Sequence, residues 1–326
     1  MRTRRLGRTG LEVSEIGFGT WGIGGTMWLG AKDEESTRAL HRAADLGVNF
    51  FDTALVYGEG HSEQVLRAFL KERKEPLIVA TKIPPKNMTW PARPGTTVAQ
   101  TFPHTHIIKS TEKSLRNLGV ETIDLQQLHV WQDDWTDVAE WYEAITTLKA
   151  EGKIRYVGIS INDHQPSNAL RALASGKIDV VQVIYNIYDQ TPEDDLFRAC
   201  LRHDIGVIVR VPFDEGGLTG QITPETLFPA GDWRNNYFRG DRKRQVFERA
   251  RQLTSFLGPE ASSLPELALR FCLHQPAVST VIPGMRTVRH VESNCAVSDG
   301  RQLSPSLLRN LQHQAWDRNF YAGASD

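Results

Sequence analysis

The sequence predicts an α/β protein: a (β/α)8 barrel of the TIM type, with an N-terminal β-hairpin and extra C-terminal helices. Two observations predict it. After a hairpin signal, eight short apolar runs recur, each followed by a stretch with helical spacing. The runs are continuously apolar rather than alternating, as in parallel strands covered on their outer face. An open doubly wound sheet is the alternative architecture. A chain of 326 residues suits one such barrel, read as a single domain over 1–326.

The elements follow in order. Thr3 to Leu6 and Leu11 to Ser14 flank Gly7-Arg8-Thr9-Gly10, a hairpin with turn residues at its tip. Glu15 to Trp21 is the first barrel strand and runs into the glycine-rich Gly22 to Gly25. Glu34 to Leu46 has helical spacing and stops at Gly47. Phe50 to Asp52 is the second strand, and a helix starts near Ser62, which reads as its cap. Pro76 to Lys82 is the third strand. The stretch from Pro84 to Pro103 is a long Pro- and Thr-rich loop, a length that is usually functional. Ile107–Leu118 is helical, and Ile123–His129 is the fourth strand. Ala139–Glu151, Ile154–Ser160, Pro166–Ala174, Val180–Val183, Asp194–Arg202 and Gly206–Arg210 continue the helix and strand alternation. A long aromatic connection reaches Arg242. Helices near Gln245–Leu257 and Pro265–His274, the strand Val278–Ile282 and the helices Val288–Ala296 and Ser304–His313 complete the chain, before a polar tail.

Composition narrows the function. Hydrophobic residues make up 40% and charged residues 24%, ordinary for a globular protein. The net charge of -1 gives no electrostatic case for nucleic acid or membrane partners. No apolar run spans a bilayer or forms a signal peptide, so a cytoplasmic location is expected. Cys200, Cys272 and Cys295 are too scattered for a disulfide framework or zinc site. No metal is expected. The one HxH, His104-Thr105-His106, lies in a loop before a helix rather than at a strand end, against a metal-dependent hydrolase.

In such a barrel the active site lies at the C-terminal ends of the strands. Asp52, Lys82 and His129 stand at the ends of the second, third and fourth strands, and Tyr57 lies on the loop after the second. The bland reading is that Asp52 caps, Tyr57 packs and His129 is a core histidine. Their convergence on one mouth favours chemistry. A proton donor placed beside an atom that gains negative charge lowers the barrier to a reaction. A phenol is a weak acid, but an adjacent ammonium lowers its pKa. Lys82 can do this for Tyr57, with Asp52 holding Lys82. A neutral His129 can donate a hydrogen bond.

Phe51-Asp52-Thr53-Ala54, Val56-Tyr57-Gly58, Thr81-Lys82 and Leu128-His129 resemble the motifs of the aldo-keto reductase superfamily. The likeness runs from Ile16-Gly17-Phe18-Gly19-Thr20 to Ile282-Pro283-Gly284. It implies Asp52, Tyr57, Lys82 and His129 as the catalytic tetrad, NADPH/NADP as cofactor, and a small-molecule carbonyl or alcohol substrate: an aldehyde or ketone reduced to its alcohol, or the reverse, with hydride from the nicotinamide, a proton from Tyr57 and the carbonyl oriented by His129. The cofactor contacts it implies begin at Thr20, Trp21 and Asp52. Ser160 and Gln182 take the carboxamide positions, and Asn162 is the substitute where many members have Ser-Asn. Arg210 stands where many members stack an aromatic ring on the nicotinamide; a structural ion pair is its other reading. Val211, Pro212, Gly216, Gly217, Leu218 and Gly220 are the expected pyrophosphate loop; an ordinary loop is the other reading. Ile282, Gly284, Arg286, Arg289, His290 and Asn294 form the stretch for the adenosine 2′-phosphate. There Gly284 and Met285 replace Lys and Ser, His290 replaces Arg, and Ser293 replaces Glu or Gln. Alternatively, Arg286 and Arg289 solvate a helical turn. Trp21, Trp28, Trp90, Trp131, Trp135, Trp233, Tyr237 and Phe238 are candidate aromatic walls, with core or loop anchoring as the expected role of about half of them. Trp21 and Trp131, with Tyr57 and His129, are the expected substrate contacts. A second class stays open: a cofactor-binding regulatory subunit of the same fold, like the potassium-channel β-subunits. Oligomeric state and natural substrate are not read from the sequence.

Overall fold

The computed structural model describes residues 1–321. An antiparallel hairpin comes first, β1 (Thr3–Arg5) with β2 (Glu12–Ser14), in register from Thr3↔Ser14 to Arg5↔Glu12. Eight parallel strands follow, each paired with its neighbours in chain order. They are β3 (Phe18–Gly19), β4 (Phe50–Asp52), β5 (Ile78–Ile83) and β6 (Ile123–Leu128), then β7 (Ile154–Ser160), β8 (Val180–Ile184), β9 (Gly206–Arg210) and β10 (Thr280–Val281). Gly17 N donates to Val281 O at 2.8 Å, and Gly19 N to Pro283 O at 3.1 Å. These bonds join the first strand to the last and close the (β/α)8 barrel. The seam needs glycine, because a Cβ on Gly19 would lie 2.7 Å from Ile282 O.

Strand alternation divides the core in two. Phe50, Ile78, Ala80, Leu125, Val180, Ile208 and Ile282 form an inner apolar body, and Leu6 and Val13 of the hairpin join it as a plug. Phe51, Val79, Leu128, Val181 and Val209 are buried in the larger body with helix residues such as Leu66, Phe69 and Leu267. Helices Asp33–Asp45, His61–Glu72, His104–Leu118, Ala139–Ala150, Leu170–Ala174, Leu196–His203, Leu264–His274 and Val288–Cys295 form the surround. Four helices are additional among the described residues: Val98–Thr101 in the loop after β5, Arg234–Tyr237 and Arg242–Leu253 in the connection after β9, and Pro305–Gln312 near the C-terminus.

Several expectations change. His104 and His106 stand in the helix His104–Leu118, not in a loop before it, and Val98–Thr101 within the expected long loop is helical. Ser62 is not the cap of its helix; Gly60 is, and it makes no side-chain cap bond. The Ser62 hydroxyl instead bonds Thr20 Oγ1 at 2.7 Å and Thr53 Oγ1 at 2.9 Å, tying two barrel loops together. The helix expected over Pro166–Ala174 shrinks to Leu170–Ala174, since turn bonds such as Asn168 N to Gln165 O hold the preceding residues. The polar tail is not a free tail up to Tyr321. Trp316 N donates to Tyr188 O at 2.8 Å, and Phe320 is buried beside Ile222, Tyr237 and Val246. No helix among the described residues is long and apolar enough to cross a membrane.

Candidate active site

The inner face of the barrel is apolar low down and polar at the top. Asp52 pairs with Ala80, two residues before Lys82. Lys82 pairs with Gln127, Gln127 with Gly158, and Ser160 with Gln182. Partners in parallel strands point the same way, and side chains two apart share a face. One inward polar layer therefore carries Asp52, Lys82, Gln127, Ser160 and Gln182. Gly158 makes room within it: a Cβ there would lie 3.1 Å from Gln127 Cγ.

Lys82 is wholly buried and its Nζ is the hub. It lies 2.5 Å from Asp52 Oδ2, 2.7 Å from Thr53 O and 3.4 Å from Tyr57 Oη. The other Asp52 oxygen, Oδ1, accepts from Gln182 Nε2 at 2.8 Å and from Gln127 Nε2 at 3.3 Å. Tyr57 reaches the mouth on a turn in which Gly58, Glu59 and Gly60 all have positive φ. A Cβ on Gly58 would meet Gly24 O at 2.2 Å, so the loop after β3 presses directly on this turn. The His129 ring stands edge-on to Tyr57, 5.9 Å between centroids, and makes no hydrogen bond among the described residues. The four residues expected to act together are brought together.

Their electrostatics set the protonation states. Burial disfavours the Lys82 ammonium, but Asp52 and Tyr57 more than offset it, and its pKa is raised. Burial raises the Tyr57 phenol above its ordinary value, and Lys82 opposes this without prevailing. The expected net lowering by Lys82 is thus reversed, and Tyr57 holds its proton at neutral pH. Burial, then the positive charges of Lys82 and Arg210, hold His129 well below the usual imidazole range, so its ring is neutral.

Other expected contacts divide. Ser160 Oγ and Gln182 Oε1 take no hydrogen bond among the described residues and lie on adjacent strands, where an acceptor beside a hydroxyl suits a planar carboxamide. Thr20 is a correction: its side chain is sealed and its hydroxyl donates to Asp52 O at 2.9 Å. Asn162 is another. It accepts from Trp131 N at 3.3 Å and donates to Gln165 Oε1 at 3.1 Å, so its amide pins loops instead of facing the mouth. Trp131 is a third, being 1% exposed and packed edge-on against Trp135 and Trp141 in the core. Arg210 takes its ion-pair reading, 2.6 Å from Asp163 Oδ1, with a further bond to Ile161 O.

In the loop after β9, Val211, Asp214, Glu215 and Gly216 all have positive φ, Pro212, Gly217 and Leu218 are buried, and Gly220 is exposed. After β10, Ile282 belongs to the inner core and Gly284 is exposed. Arg286 donates to Leu29 O at 3.0 Å across the mouth, and Arg289 is exposed. Thr287 caps the following helix through His290 N, and Asn294 is buried. Among the described residues no group of three or more His, Cys, Asp or Glu could hold a metal; His106 bonds Pro84 O.

Sequence reasoning missed Gln127, although Leu125 and Gln127 two apart in one strand are inward positions by alternation. It also left Trp90 and Trp233 as undifferentiated aromatics. Trp90 stands edge-on to His129 at 5.8 Å and is 39% exposed, whereas Trp131 is buried. Trp21 lies 6.5 Å from Tyr57 and 5.2 Å from Trp233. Bonds from Trp233 N to Met27 O and from Leu29 N to Asp232 Oδ2 tie the loops after β3 and β9 across the mouth.

Residues 15–313 match the model of the aldo/keto reductase family. The chain is similar to the aldo-keto reductase YhdN of Bacillus subtilis (strain 168), 31% identical over 90% of this chain and 87% of that one. It is similar to an NADH-specific methylglyoxal reductase of Escherichia coli (strain K12), 30% identical over 91% and 93%. Among solved structures, a glycerol dehydrogenase from Gluconobacter oxydans is 30% identical with a TM-score of 0.79, covering 96% of this chain and 94% of that one.

Proposed function

The chain belongs to the aldo/keto reductase family, and on that premise we propose that it is an NADPH-dependent oxidoreductase interconverting an aldehyde or ketone and its alcohol. The observation that carries this is Lys82 Nζ, placed between the Asp52 carboxylate and the Tyr57 hydroxyl. When bound, the reduced nicotinamide supplies the hydride, which no side chain can donate. Ser160 and Gln182 offer its carboxamide a donor and an acceptor. Gln182 spends its N–H groups on Asp52 and Gln127, which leaves its oxygen for the ligand. Tyr57 then gives its proton to the carbonyl oxygen as charge develops there, and the Lys82 ammonium stabilises the phenolate left behind. Neutral His129 donates a hydrogen bond to the same oxygen. Trp21, Trp90 and Trp233 give the pocket an apolar wall that suits a bulky or ring-containing carbonyl compound.

The choice of NADPH rests on Arg286 and Arg289 beside the start of the helix Val288–Cys295, where a guanidinium suits a phosphate. One relative is NADH-specific by name, so this choice needs its own test. Three separate buried thiols suit a reducing compartment, and we place the protein in the cytoplasm. Tyr57→Phe tests the central claim. It should leave cofactor affinity nearly intact and lower kcat by about 10²-fold or more, from loss of the general acid. Near-normal kcat would remove Tyr57 from the role. A wild-type protein that binds cofactor but turns over no carbonyl in a broad panel would be a regulatory subunit instead.

A further inference from the structure

The loop read as the pyrophosphate seat presents a contradiction. Between Val211 and Gly220 it carries two acids, Asp214 and Glu215, and no basic residue. Both are buried and both have positive φ, a costly backbone state for residues with a Cβ. Two carboxylates in an anion seat should repel its ligand.

The resolution lies about a hundred residues further on. Arg318 forms an ion pair with Asp214 Oδ1, the two side chains being 7% and 5% exposed. Its Nη1 donates to Tyr237 Oη at 3.1 Å, and Tyr237 Oη donates to Asp214 Oδ1 at 3.2 Å. The remaining Asp214 oxygen, Oδ2, has no hydrogen-bond partner and lies 2.7 Å from where a Cβ on Gly217 would be. Tyr321 Oη donates to Glu215 Oε1 at 2.6 Å. Phe320, between these two residues, is buried beside Tyr237 and anchors the segment.

We propose that Arg318 and Tyr321 are positioning residues of the cofactor site: carried by the C-terminal segment, Arg318 masks the Asp214 charge and Tyr321 fixes the Glu215 side chain, so that a pyrophosphate can lie on the phosphate loop. This rests on the reading of 211–220 as the phosphate loop. Arg318 compensates Asp214, and Tyr321 holds Glu215 in its turn. Glu215 needs no cation while it keeps its proton. Burial pushes its carboxyl up to about 8, with the Tyr321 hydroxyl opposing and Asp214 reinforcing. The other groups facing it are Arg210 from β9, Asp163 from the loop after β7, and Tyr237. On this account the acids make the loop dependent on the chain's own C-terminal segment.

The test measures dissociation constants of NADPH and NADH on the full-length protein, with melting temperature as a control. Arg318→Gln should weaken both nucleotides at least tenfold, because the pyrophosphate is common to them. Adding Asp214→Asn should restore binding to within about threefold, a rescue that lost packing would not give. If Arg318→Gln does not fold, the pH arm decides. Wild-type affinity for NADH, which has no 2′-phosphate to titrate, should fall about tenfold as pH rises from about 6.5 to 9.5, and Glu215→Gln should abolish that fall. Unchanged affinities in Arg318→Gln, failure of the second substitution to rescue, or the same pH dependence in Glu215→Gln would each overturn the proposal. A wild-type protein that binds neither nucleotide would overturn the function reading with it. Wild-type binding without any effect of Arg318→Gln would overturn the masking role alone.

Discussion

Asp52→Asn is the sharpest single test of the buried network, because an amide has one acceptor and Asp52 uses two. Oδ2 accepts from Lys82, and Oδ1 from Gln182 and Gln127. An asparagine that turns its oxygen to Lys82 points its NH2 at two amide donors. Turned the other way, its NH2 faces the ammonium. Either choice leaves a donor–donor conflict beside a lysine that is 0% exposed. Breaking a buried pair in this way costs roughly 3–5 kcal/mol. Melting entropy of about 2.1 cal/mol/K per residue over 326 residues gives about 0.7 kcal/mol/K. The melting temperature should therefore fall by about 4–7 °C in differential scanning calorimetry. Without Asp52 nothing offsets the burial of Lys82 to the same degree, so its pKa falls and its support of the Tyr57 phenolate weakens. In steady-state assays kcat should drop by about 10²-fold. A melting temperature within about 1 °C of wild type, with kcat retained, would show that the Asp52–Lys82 pair neither stabilises the fold nor serves the chemistry.

Two further substitutions separate cofactor reading from substrate shape. Arg286→Ala should weaken NADPH by about one to two decades, the worth of one charge-assisted phosphate contact, and leave NADH almost untouched. Equal losses in fluorescence titrations with both nucleotides would show that its bond to Leu29 O, and not a phosphate, is its purpose. Trp90→Ala should raise KM for ring-containing carbonyls by about tenfold at unchanged stability, while Trp131→Ala should cost about 3–5 kcal/mol in denaturant unfolding. If the two variants exchanged these effects, the reassignment of the wall from Trp131 to Trp90 would be wrong.

How much of this was legible in the sequence depended on whether a residue's role is local. The strands were, because continuous apolar runs bounded by turn residues specify a doubly covered strand by themselves. The convergence of Asp52, Tyr57, Lys82 and His129 was, because each stands at a strand end or on the loop that follows. Ser62 misled because Ser before a helical run is a good cap signal, yet its hydroxyl found Thr20 and Thr53 nearer than a free helix amide. Trp131 misled because proximity to a strand end does not say which way a ring points. The C-terminal segment was illegible for a different reason. Its anchors are single residues in a polar stretch, and their partners lie about a hundred positions away, at Asp214 and Glu215.

The barrel seam has a consequence for how the molecule is made. Its bonds join residues near 17 to residues near 281, so no other strand junction spans so much chain. Closure of so long a loop has an entropic cost, and the pairing cannot form until the residues near 281 have left the ribosome. Until then the nascent sheet has an open edge at β3, and β10 is the last strand to arrive. Open edges invite pairing with other chains. Here the two strands concerned are the shortest in the barrel, two residues each, against six and seven for β6 and β7. The edge left waiting longest during synthesis offers a neighbouring chain the least to pair with.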